Sequence, residues 1–576
     1  MREDPSVVTY FAETNSRGKQ VPFGIKRADR ARHMYIIGKT GMGKSTLLEN
    51  LAIQDIRNGE GMAFIDPHGS TADRILEYVP EHRIKDVVYF APFDMEHPVA
   101  FNVMEDVGYD KRHLVVSGLL SAFRKIWVDA WSARMEYILS NTLLALLEYE
   151  GSTLLDVNRM LINKAFRKKV VENVTDPIVK SFWVDEFANY TDRYTQDATP
   201  AIQNKIGQFT SNPLIRNIVG QPKSSFDIRK IMDDKKILII NLSKGRVGEV
   251  NATLLGSMLV TKIYLAAMSR ADVAAEELNE LPSFYFYVDE FQNFANESFS
   301  DILSEARKYK LRLIIAHQYV EQMEEEVRDA VFGNVGTTIA FRVGPFDAET
   351  LETIFSPQFE ATDLVNLGFA QIYLTLMIDG VGSPPFSATT MKPFDPPPQK
   401  FVDAVIANSR AQFAKPRATV EEDIRKWNEL EPVETTANKA KPKSDYAPAR
   451  KAEPLAQRPA PAKPAVQPKH AAPIEHKVPT PVVEKKIEPK APPAPPLDGA
   501  KSLREALAQV TGNKSIPPSP PSQHAPDLKE TLHTIAPKAE APKPQEPAGL
   551  PENVLREMLS VDEVDDTESP FERPDK

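Results

Sequence analysis

The strongest chemical signal in the chain is a glycine-rich segment with the spacing G-x-x-x-x-G-K-[S/T], which begins at Gly38. Glycines let a backbone wrap a phosphate without steric clash, and the N–H groups at the start of the following helix face the anion. Lys44 would neutralise the β- and γ-phosphates, and the Ser45 hydroxyl would be a Mg²⁺ ligand. The alternative is a glycine-rich turn without a ligand. The residues predicted to bind nucleotide are Gly38, Lys39, Thr40, Gly41, Met42, Gly43, Lys44, Ser45 and Thr46.

Two adjacent acids, Asp289 and Glu290, follow the apolar run 284–288. Ligands of open α/β sheets bind where parallel strands end. Asp289 is therefore predicted to hold Mg²⁺ through water, and Glu290 to polarise the water that attacks the γ-phosphate. Gln318 ends the next apolar run and is predicted to sense hydrolysis, with a plain strand-end amide as the alternative. A lone histidine is weak evidence for function, so His317 is interpreted as structural.

Three further segments keep two interpretations each. Arg246 and Arg342 follow predicted strands, and each is a candidate catalytic arginine finger that reaches the γ-phosphate of a neighbouring subunit. The alternative for each arginine is a local salt bridge or an exposed position without a phosphate partner. The segment 66–69, Asp-Pro-His-Gly, is either a turn with a capping Asp or a loop near the nucleotide or a neighbouring subunit.

These residues need a sheet to position them, and the hydrophobic pattern supplies one. Uninterrupted apolar runs that alternate with helical patterns predict an α/β fold with a mostly parallel sheet covered on both faces. The predicted strands are 34–38, 62–66, 87–90, 236–242, 284–288, 311–316 and 337–341, and the predicted helices among them are 44–58, 249–269 and 297–309.

Breaks in this rhythm suggest five regions. Residues 107–205 lack strong strand signals and have helical periodicity, which predicts an all-helical domain inserted into the ATPase domain. The ATPase domain would then comprise residues 1–106 and 206–395, followed by two helices in 396–431. The second of these helices is predicted to open with a capping box at 419–422.

The last region, 432–576, is predicted to be a disordered tail, because 28 of the 48 prolines lie in residues 431–576. Residues 441–500 carry a net charge of +5 and residues 551–576 a net charge of −6. Two short apolar-periodic segments, 503–510 and 554–561, are either docking helices for a partner or incidental helical patterns.

Composition removes several classes of function. The 576 residues include no cysteine, which excludes disulfides, thiolate zinc sites and Fe–S clusters. The net charge of −10 argues against a globally basic surface but leaves room for a local basic channel. No signal peptide is evident, and Lys262 interrupts the longest apolar stretch, 254–268. We therefore expect a cytoplasmic chain without an integral membrane segment.

The glycine-rich segment 38–46 is a P-loop motif, and the sequence fits two other classes of P-loop protein poorly. The run Leu242-Ser-Lys-Gly245 lacks the second Gly and the Gln of the transporter signature, and it lies more than 40 residues before Asp289. The Asn-Lys-x-Asp run by which GTPases read guanine is absent, so ATP and Mg²⁺ are the expected ligands.

The segments 29–46, 64–69 (Phe-Ile-Asp-Pro-His-Gly) and 287–293 (Tyr-Val-Asp-Glu-Phe-Gln-Asn) resemble the HerA/FtsK superfamily of ring motors, and most closely the TraG/TraD-like coupling ATPases of conjugative type IV secretion. The resemblance implies a RecA-like P-loop domain with a helical insertion, a homo-hexameric ring, and ATP-driven movement of DNA through a central pore. Coupling proteins usually begin with membrane-spanning helices, whereas 37 mostly polar residues precede Gly38, so we expect recruitment to the membrane by partners.

Three functions remain in competition on this evidence. The first is an ATP-hydrolysing DNA translocase. The second is a related ATPase that moves proteins in secretion or pilus assembly. The third is a nucleotide-switched binding module. A secretion-channel or relaxase-type partner would dock on the helical insertion or the tail.

Overall fold

A computed structural model describes residues 3–15, 19–295 and 298–429 of the chain. All of them belong to one compact unit. The predicted tail, with its two charged blocks and the segments 503–510 and 554–561, lies outside the described residues.

The strands of the described residues form one large sheet and one small hairpin. Their bounds are β1 Val8–Thr14, β2 Pro22–Lys26, β3 Met34–Ile37, β4 Gly61–Asp66, β5 Val87–Phe90, β6 Ile237–Asn241, β7 Phe284–Val288, β8 Leu311–His317, β9 Thr337–Ala340, β10 Gln371–Thr375, β11 Met377–Ile378, β12 Val381–Gly382 and β13 Phe386–Thr390.

The large sheet has the strand order β2-β1-β13-β10-β9-β3-β8-β7-β4-β6-β5. The seven strands from β9 to β5 are parallel, so their carboxyl ends share one edge. These are the seven predicted strands, and each lies within one residue of its predicted bounds. Buried apolar side chains on both faces explain why their sequences read as continuous apolar runs. The predicted α/β fold with a mostly parallel sheet is confirmed.

Four strands of the sheet were not predicted. β10 pairs antiparallel with β9, and β13, β1 and β2 continue the sheet beyond it. β10 and β13 alternate buried with half-buried or exposed residues. A strand with one solvent-exposed face lacks the continuous apolar run that is typical of the buried parallel strands.

Helices cover both faces of the sheet. Their bounds are α1 Lys44–Arg57, α2 Ser70–Glu77, α3 Arg112–Ile126, α4 Ala133–Leu147, α5 Asp156–Ile162, α6 Lys164–Asn173, α7 Pro177–Ser181, α8 Asp192–Ala198, α9 Pro200–Ser211, α10 Pro213–Val219, α11 Ile228–Asp233, α12 Lys244–Val247, α13 Glu249–Met268, α14 Ala275–Glu280, α15 Ser298–Glu305, α16 Glu325–Asn334, α17 Pro345–Phe355, α18 Ala361–Asn366, α19 Val402–Phe413 and α20 Arg417–Glu429.

Two helix predictions need correction. The helix predicted over 297–309 is α15, which gives way to a 3₁₀ turn over 306–309. The prediction that the last helix opens at Thr419 is wrong, because α20 begins at Arg417 and the Thr419 N–H donates to the Pro416 carbonyl. The helix starts directly after a proline, where a missing N–H costs nothing.

The long segment between β5 and β6 is helical throughout its regular elements, from α3 to α11. We call α3–α11 the helical block. Its first helix packs tightly on α13, since a Cβ on Gly118 would lie 2.4 Å from Thr261 Cγ2. The boundaries at 107 and 205 stay a prediction, and residue 205 lies inside α9.

One described helical stretch, Glu249–Asp272, has the length and apolar composition of a membrane span. Of its most apolar window, 61% is buried inside the protein, and its leucines belong to the main hydrophobic core. A central helix of an α/β fold has the same properties.

Two buried histidines predict how stability depends on pH. Burial, with Arg312 nearby, lowers the pKa of His33 to about 3, and burial, with Lys44 and Lys125 nearby, lowers that of His317 to about 3. A folded-state pKa below the unfolded value of about 6.5 gives stability that is complete above pH 6.5 and is lost as the pH falls. Each histidine should cost about 1.4 kcal/mol per pH unit between pH 6 and pH 4.

The variant His317→Phe should therefore unfold with a flatter pH dependence than the parent chain, measured by denaturant unfolding at pH 7, 6 and 5. His82→Phe, at an exposed position, is the control for the loss of a histidine that is not buried. Equal slopes for His317→Phe and the parent would show that His317 binds protons in the folded state.

Candidate functional site

The glycine-rich segment forms the turn between β3 and α1, at the shared carboxyl edge of the parallel strands. A Cβ on Gly38 would lie 2.5 Å from the Phe341 Cβ, so the turn needs glycine for close packing. Gly43 precedes α1 with φ +119°, a conformation that favours glycine. No described side chain caps α1 at this position. The N–H groups of the first turn are therefore available to an anion.

Lys44 lies folded back over this turn. Its ammonium donates to the Gly38 carbonyl at 2.6 Å and to the Lys39 carbonyl at 3.4 Å. The residue is 5% exposed, and burial lowers the pKa of Lys44, although Glu290 and Asp289 oppose that shift. A buried cation held mainly by carbonyl oxygens gains from an anionic partner.

Asp289 and Glu290 follow β7 at the same edge, and both are buried. Burial, with repulsion from Glu290 and Asp66, raises the pKa of Asp289 to about 7, although Lys44 opposes the shift. The Glu290 backbone is left-handed, at φ +49° and ψ +50°. Such a conformation is costly for a residue with a Cβ, and it is a feature of functional sites.

Glu290 is joined to the glycine-rich turn by side-chain hydrogen bonds. The Gln318 amide nitrogen donates to Glu290 Oε1, and the Gln292 amide nitrogen donates to Glu290 Oε2 at 2.7 Å. The Thr40 hydroxyl donates to Gln318 Oε1 at 2.9 Å. Gln318 therefore contacts both the glycine-rich turn and the acid pair.

The segment 66–69, whose interpretation was open, and His317, interpreted as structural, can now be placed. Asp66 is fully buried, and it accepts from the His68 N–H at 2.7 Å and the Ala72 N–H at 2.9 Å, so it caps the start of α2. It also lies close enough to Asp289 to raise the pKa of that residue. His317 is fully buried, and its Nδ1 is 3.3 Å from the Tyr35 hydroxyl.

The two arginines lie at different distances from the glycine-rich turn. Arg342 lies two residues after the end of β9, which neighbours β3, and its carbonyl accepts the Lys39 N–H at 2.8 Å. Arg246 is exposed on α12, after β6, and its guanidinium stacks on Phe93 at 4.4 Å. Four strand spacings separate β6 from β3, which is about 19 Å along the edge. The structure thus brings together all the predicted site residues except Arg246.

The exposed Ser45 hydroxyl and the buried Asp289 carboxylate are oxygen ligands of the kind that Mg²⁺ prefers. No group of three or more His, Asp or Glu side chains in the described ranges could hold a metal by itself. Such a sparse protein ligand set fits a Mg²⁺ ion that is shared with phosphate oxygens and water.

Gln292 was missed as a site residue. The only sequence signal was its place two residues after Glu290 in the segment 287–293. The left-handed turn at Glu290 brings this amide back to the carboxylate, and a left-handed glutamate cannot be read from residue types.

The raised pKa of Asp289 predicts that this side chain lowers the stability of the fold. At pH 8 the folded chain must ionise a carboxyl that prefers to stay protonated, so ionised Asp289 destabilises the fold. Asp289→Asn removes that charge and keeps an acceptor for the Glu290 N–H, which now donates to Asp289 Oδ1 at 3.0 Å. The free energy of unfolding without nucleotide should rise by up to about 4 kcal/mol at pH 8.

The same comparison at pH 5.5 is the internal control. Asp289 is then protonated in the folded parent but ionised in the unfolded chain, so the gain from Asp289→Asn should fall to about 2 kcal/mol, roughly half of that at pH 8. Guanidinium unfolding at both pH values measures it. A variant less stable than the parent at pH 8 would contradict the assigned charge imbalance.

Comparison with solved structures finds several of similar architecture. The plasmid coupling protein TrwB in complex with ADP and Mg²⁺ is 14% identical, with a TM-score of 0.49, over 70% of this chain and 99% of that chain. Unbound TrwBdeltaN70 is 15% identical, with a TM-score of 0.47, over 67% and 90% of the two chains. VirB4 of Thermoanaerobacter pseudethanolicus is 13% identical, with a TM-score of 0.47, over 68% and 98%.

A search of curated proteins finds no match. A family model described as the type IV secretion-system coupling protein DNA-binding domain matches residues 19–355, which is more than half of the chain. The match spans the P-loop turn, the helical block, the acid pair and Gln318, and it confirms the resemblance seen in the sequence. The chain therefore belongs to the family of type IV secretion-system coupling proteins.

Proposed function

We propose that this chain is an ATP-hydrolysing motor that moves DNA for a type IV secretion system. The observation that carries the proposal is the meeting of an uncapped P-loop with a buried Asp289–Glu290 pair at one sheet edge. Two buried carboxyl groups beside a single lysine would lower the stability of a protein that binds no further cation there. The family match to a coupling-protein DNA-binding domain supports DNA as the substrate over protein cargo.

The P-loop, residues 38–46, would hold the phosphates of ATP. Lys44 would exchange the Gly38 carbonyl for the β- and γ-phosphate oxygens, and the first-turn N–H groups of α1 would donate to them. Ser45 and Asp289 would hold Mg²⁺, which supplies neutralisation of the phosphate charge when bound.

Glu290 would accept a proton from the attacking water. The two amides that now donate to its carboxylate fix its orientation, and its left-handed backbone aims it into the site. Gln318 would detect the γ-phosphate, because it already bridges Thr40 and Glu290. Loss of the phosphate would change this bridge and so report hydrolysis to the rest of the subunit.

We propose that the working assembly is a homo-hexameric ring with nucleotide between subunits. Arg342 would then act on the nucleotide of its own subunit, because it flanks that P-loop. Arg246 would be the finger for the neighbouring subunit, since it is exposed and about 19 Å along the sheet edge from its own P-loop.

The ring would work in the cytoplasm, with partners recruiting it to the membrane. We propose residues 107–205 as the inserted helical domain and 396–431 as a C-terminal helical element. The inserted domain and the tail are the candidate docking regions for a relaxase-type or secretion-channel partner.

Three variants test the chemistry. Lys44→Ala should lose nucleotide binding or turnover, and Asp289→Asn should lose Mg²⁺-dependent binding. Glu290→Gln should bind ATP but slow turnover by about 10²–10⁴-fold. Phosphate release with and without DNA measures hydrolysis, and DNA affinity should fall steeply with salt. Undiminished turnover in Glu290→Gln would remove the base assignment, and failure of DNA to stimulate at low salt would favour protein cargo.

The arginine assignment is tested by mixing variants. Arg246→Ala and Arg342→Ala should each lose most hydrolysis alone. When mixed with Lys44→Ala subunits, Arg246→Ala should regain part of its activity, because an intact Arg246 reaches its P-loop from a neighbour. Arg342→Ala should not be rescued, since its missing arginine belongs to the same subunit. The reverse pattern of rescue would exchange the two roles.

A further inference from the structure

Lys125 makes a contact that the proposed mechanism does not use. It lies one residue before the end of α3, and its ammonium donates to the backbone carbonyls of Gln292 and Ala295. These two carbonyl oxygens are its hydrogen-bond partners among the described residues. Burial lowers the pKa of Lys125 to about 8, with Glu324 opposing the shift. Lys125 is half-buried, and an ammonium that is partly removed from water and lacks a hydrogen-bonded carboxylate needs well-placed carbonyl groups.

A 3₁₀ turn over Phe291–Asn293 directly follows Glu290. The Gln292 carbonyl lies within this turn and the Ala295 carbonyl two residues beyond its end, so Lys125 satisfies carbonyl groups of the turn and of the segment after it. Gln292 contributes its backbone carbonyl to Lys125 and its side-chain amide to Glu290. One residue therefore joins the lysine to the predicted base.

The contacts form one continuous path. It runs from Lys125 through Gln292 to Glu290, then through Gln318 to Thr40 in the P-loop. At its outer end, α3 is the first helix of the helical block and is packed on α13 at Gly118. A shift of α3 thus carries the lysine and the turn with it, because tightly packed helices move as rigid bodies.

We propose that Lys125 is a positioning residue that couples the helical block to Glu290, so that the placement of α3 sets the orientation of the base. The inference rests on the proposed function, since it names what regulates the same site. Lys125 would act only through the turn that carries Gln292.

The chain offers a matched control. Lys310 also donates to two backbone carbonyls, those of Asn279 at 2.6 Å and Leu281 at 2.8 Å, but it precedes β8 at the opposite edge of the sheet. Lys310→Met removes the same kind of contact away from the site. A purely structural lysine cap should behave alike in both variants.

In the full-length chain, Lys125→Met should lower kcat for ATP hydrolysis about tenfold, while the affinity for a fluorescent ATP analogue changes less than about twofold. Lys310→Met should keep the parent kcat, and Lys125→Arg should recover part of the loss. If Lys125→Met keeps the parent kcat, the proposal is overturned. Parallel losses of nucleotide affinity and thermal stability in Lys125→Met would also overturn it, because they describe a structural cap.

A double-mutant cycle with Gln292→Leu tests the path itself. Gln292→Leu breaks the link between the turn and Glu290, so adding Lys125→Met to it should cost much less than tenfold in kcat. Fully additive losses would show that Lys125 acts by another route, and the proposal would fail.

A readout without turnover separates this inference from the proposed function. Trp127 lies two residues beyond Lys125 and stacks on Phe123 at 5.2 Å, so it reports on the end of α3. With 5-fluorotryptophan at the four tryptophan positions, the Trp127 resonance, assigned with Trp127→Phe, should shift when a non-hydrolysable ATP analogue and Mg²⁺ bind. The shift should persist in Lys310→Met and vanish in Lys125→Met.

An equal shift in Lys125→Met, or no shift in the parent with analogue bound, would contradict the proposed coupling. Neither result would contradict the proposed ATP hydrolysis. A parent chain that binds the analogue and shows the shift but never hydrolyses ATP would sink the proposed function and leave the coupling standing.

Discussion

The crowding of three buried carboxyl groups, two of which lie close to Lys44, is the constraint on which this structure depends. Asp66, Asp289 and Glu290 end neighbouring strands or follow them, and Lys44 is the cation that opposes them. Burial, with repulsion from Glu290 and Asp66, raises the pKa of Asp289 to about 7. A divalent cation with a triphosphate would relieve this repulsion, because the ion pairs with the acids while Lys44 turns to the phosphates. This arrangement of charges therefore favours binding of a divalent cation together with an anionic ligand.

The parallel strand order creates this crowding. β7 lies between β8 and β4, so Gln318, the acid pair and Asp66 share one edge. The P-loop follows β3, which is the neighbour of β8 on the other side. Hydrogen bonds along the edge then orient what the strands have brought together. Both carboxylate oxygens of Asp66 accept backbone N–H groups at the start of α2. Among the described residues, the Glu290 carboxylate accepts from side-chain amides, whose hydrogen bonds can be replaced by bonds to other ligands. This difference separates the acid that builds the site from the acid that would do chemistry.

The sequence predicted those parts of this arrangement that depend on short-range patterns of residues. Continuous apolar runs marked all seven parallel strands, and the spacing of glycines and lysine marked the P-loop. The four antiparallel strands escaped, because β10 and β13 have wet faces and alternate weakly. Gln292 escaped because its role depends on a left-handed glutamate. Lys125 escaped because a lysine that binds backbone carbonyls 167 and 170 residues away leaves no pattern in residue type or spacing.

Those backbone contacts bear on how a motor can be built from this fold. A carboxylate that activates water must be fixed during the chemical step and must still respond to movement elsewhere. Side-chain amides satisfy the first need, since they orient Glu290 without adding charge. A lysine on the carbonyls of the adjoining turn satisfies the second, because it moves with α3 and leaves the carboxylate free. Had Lys125 paired with Glu290 directly, it would have neutralised the proposed base, so coupling through the backbone turn would preserve the charge that the proposed hydrolysis requires.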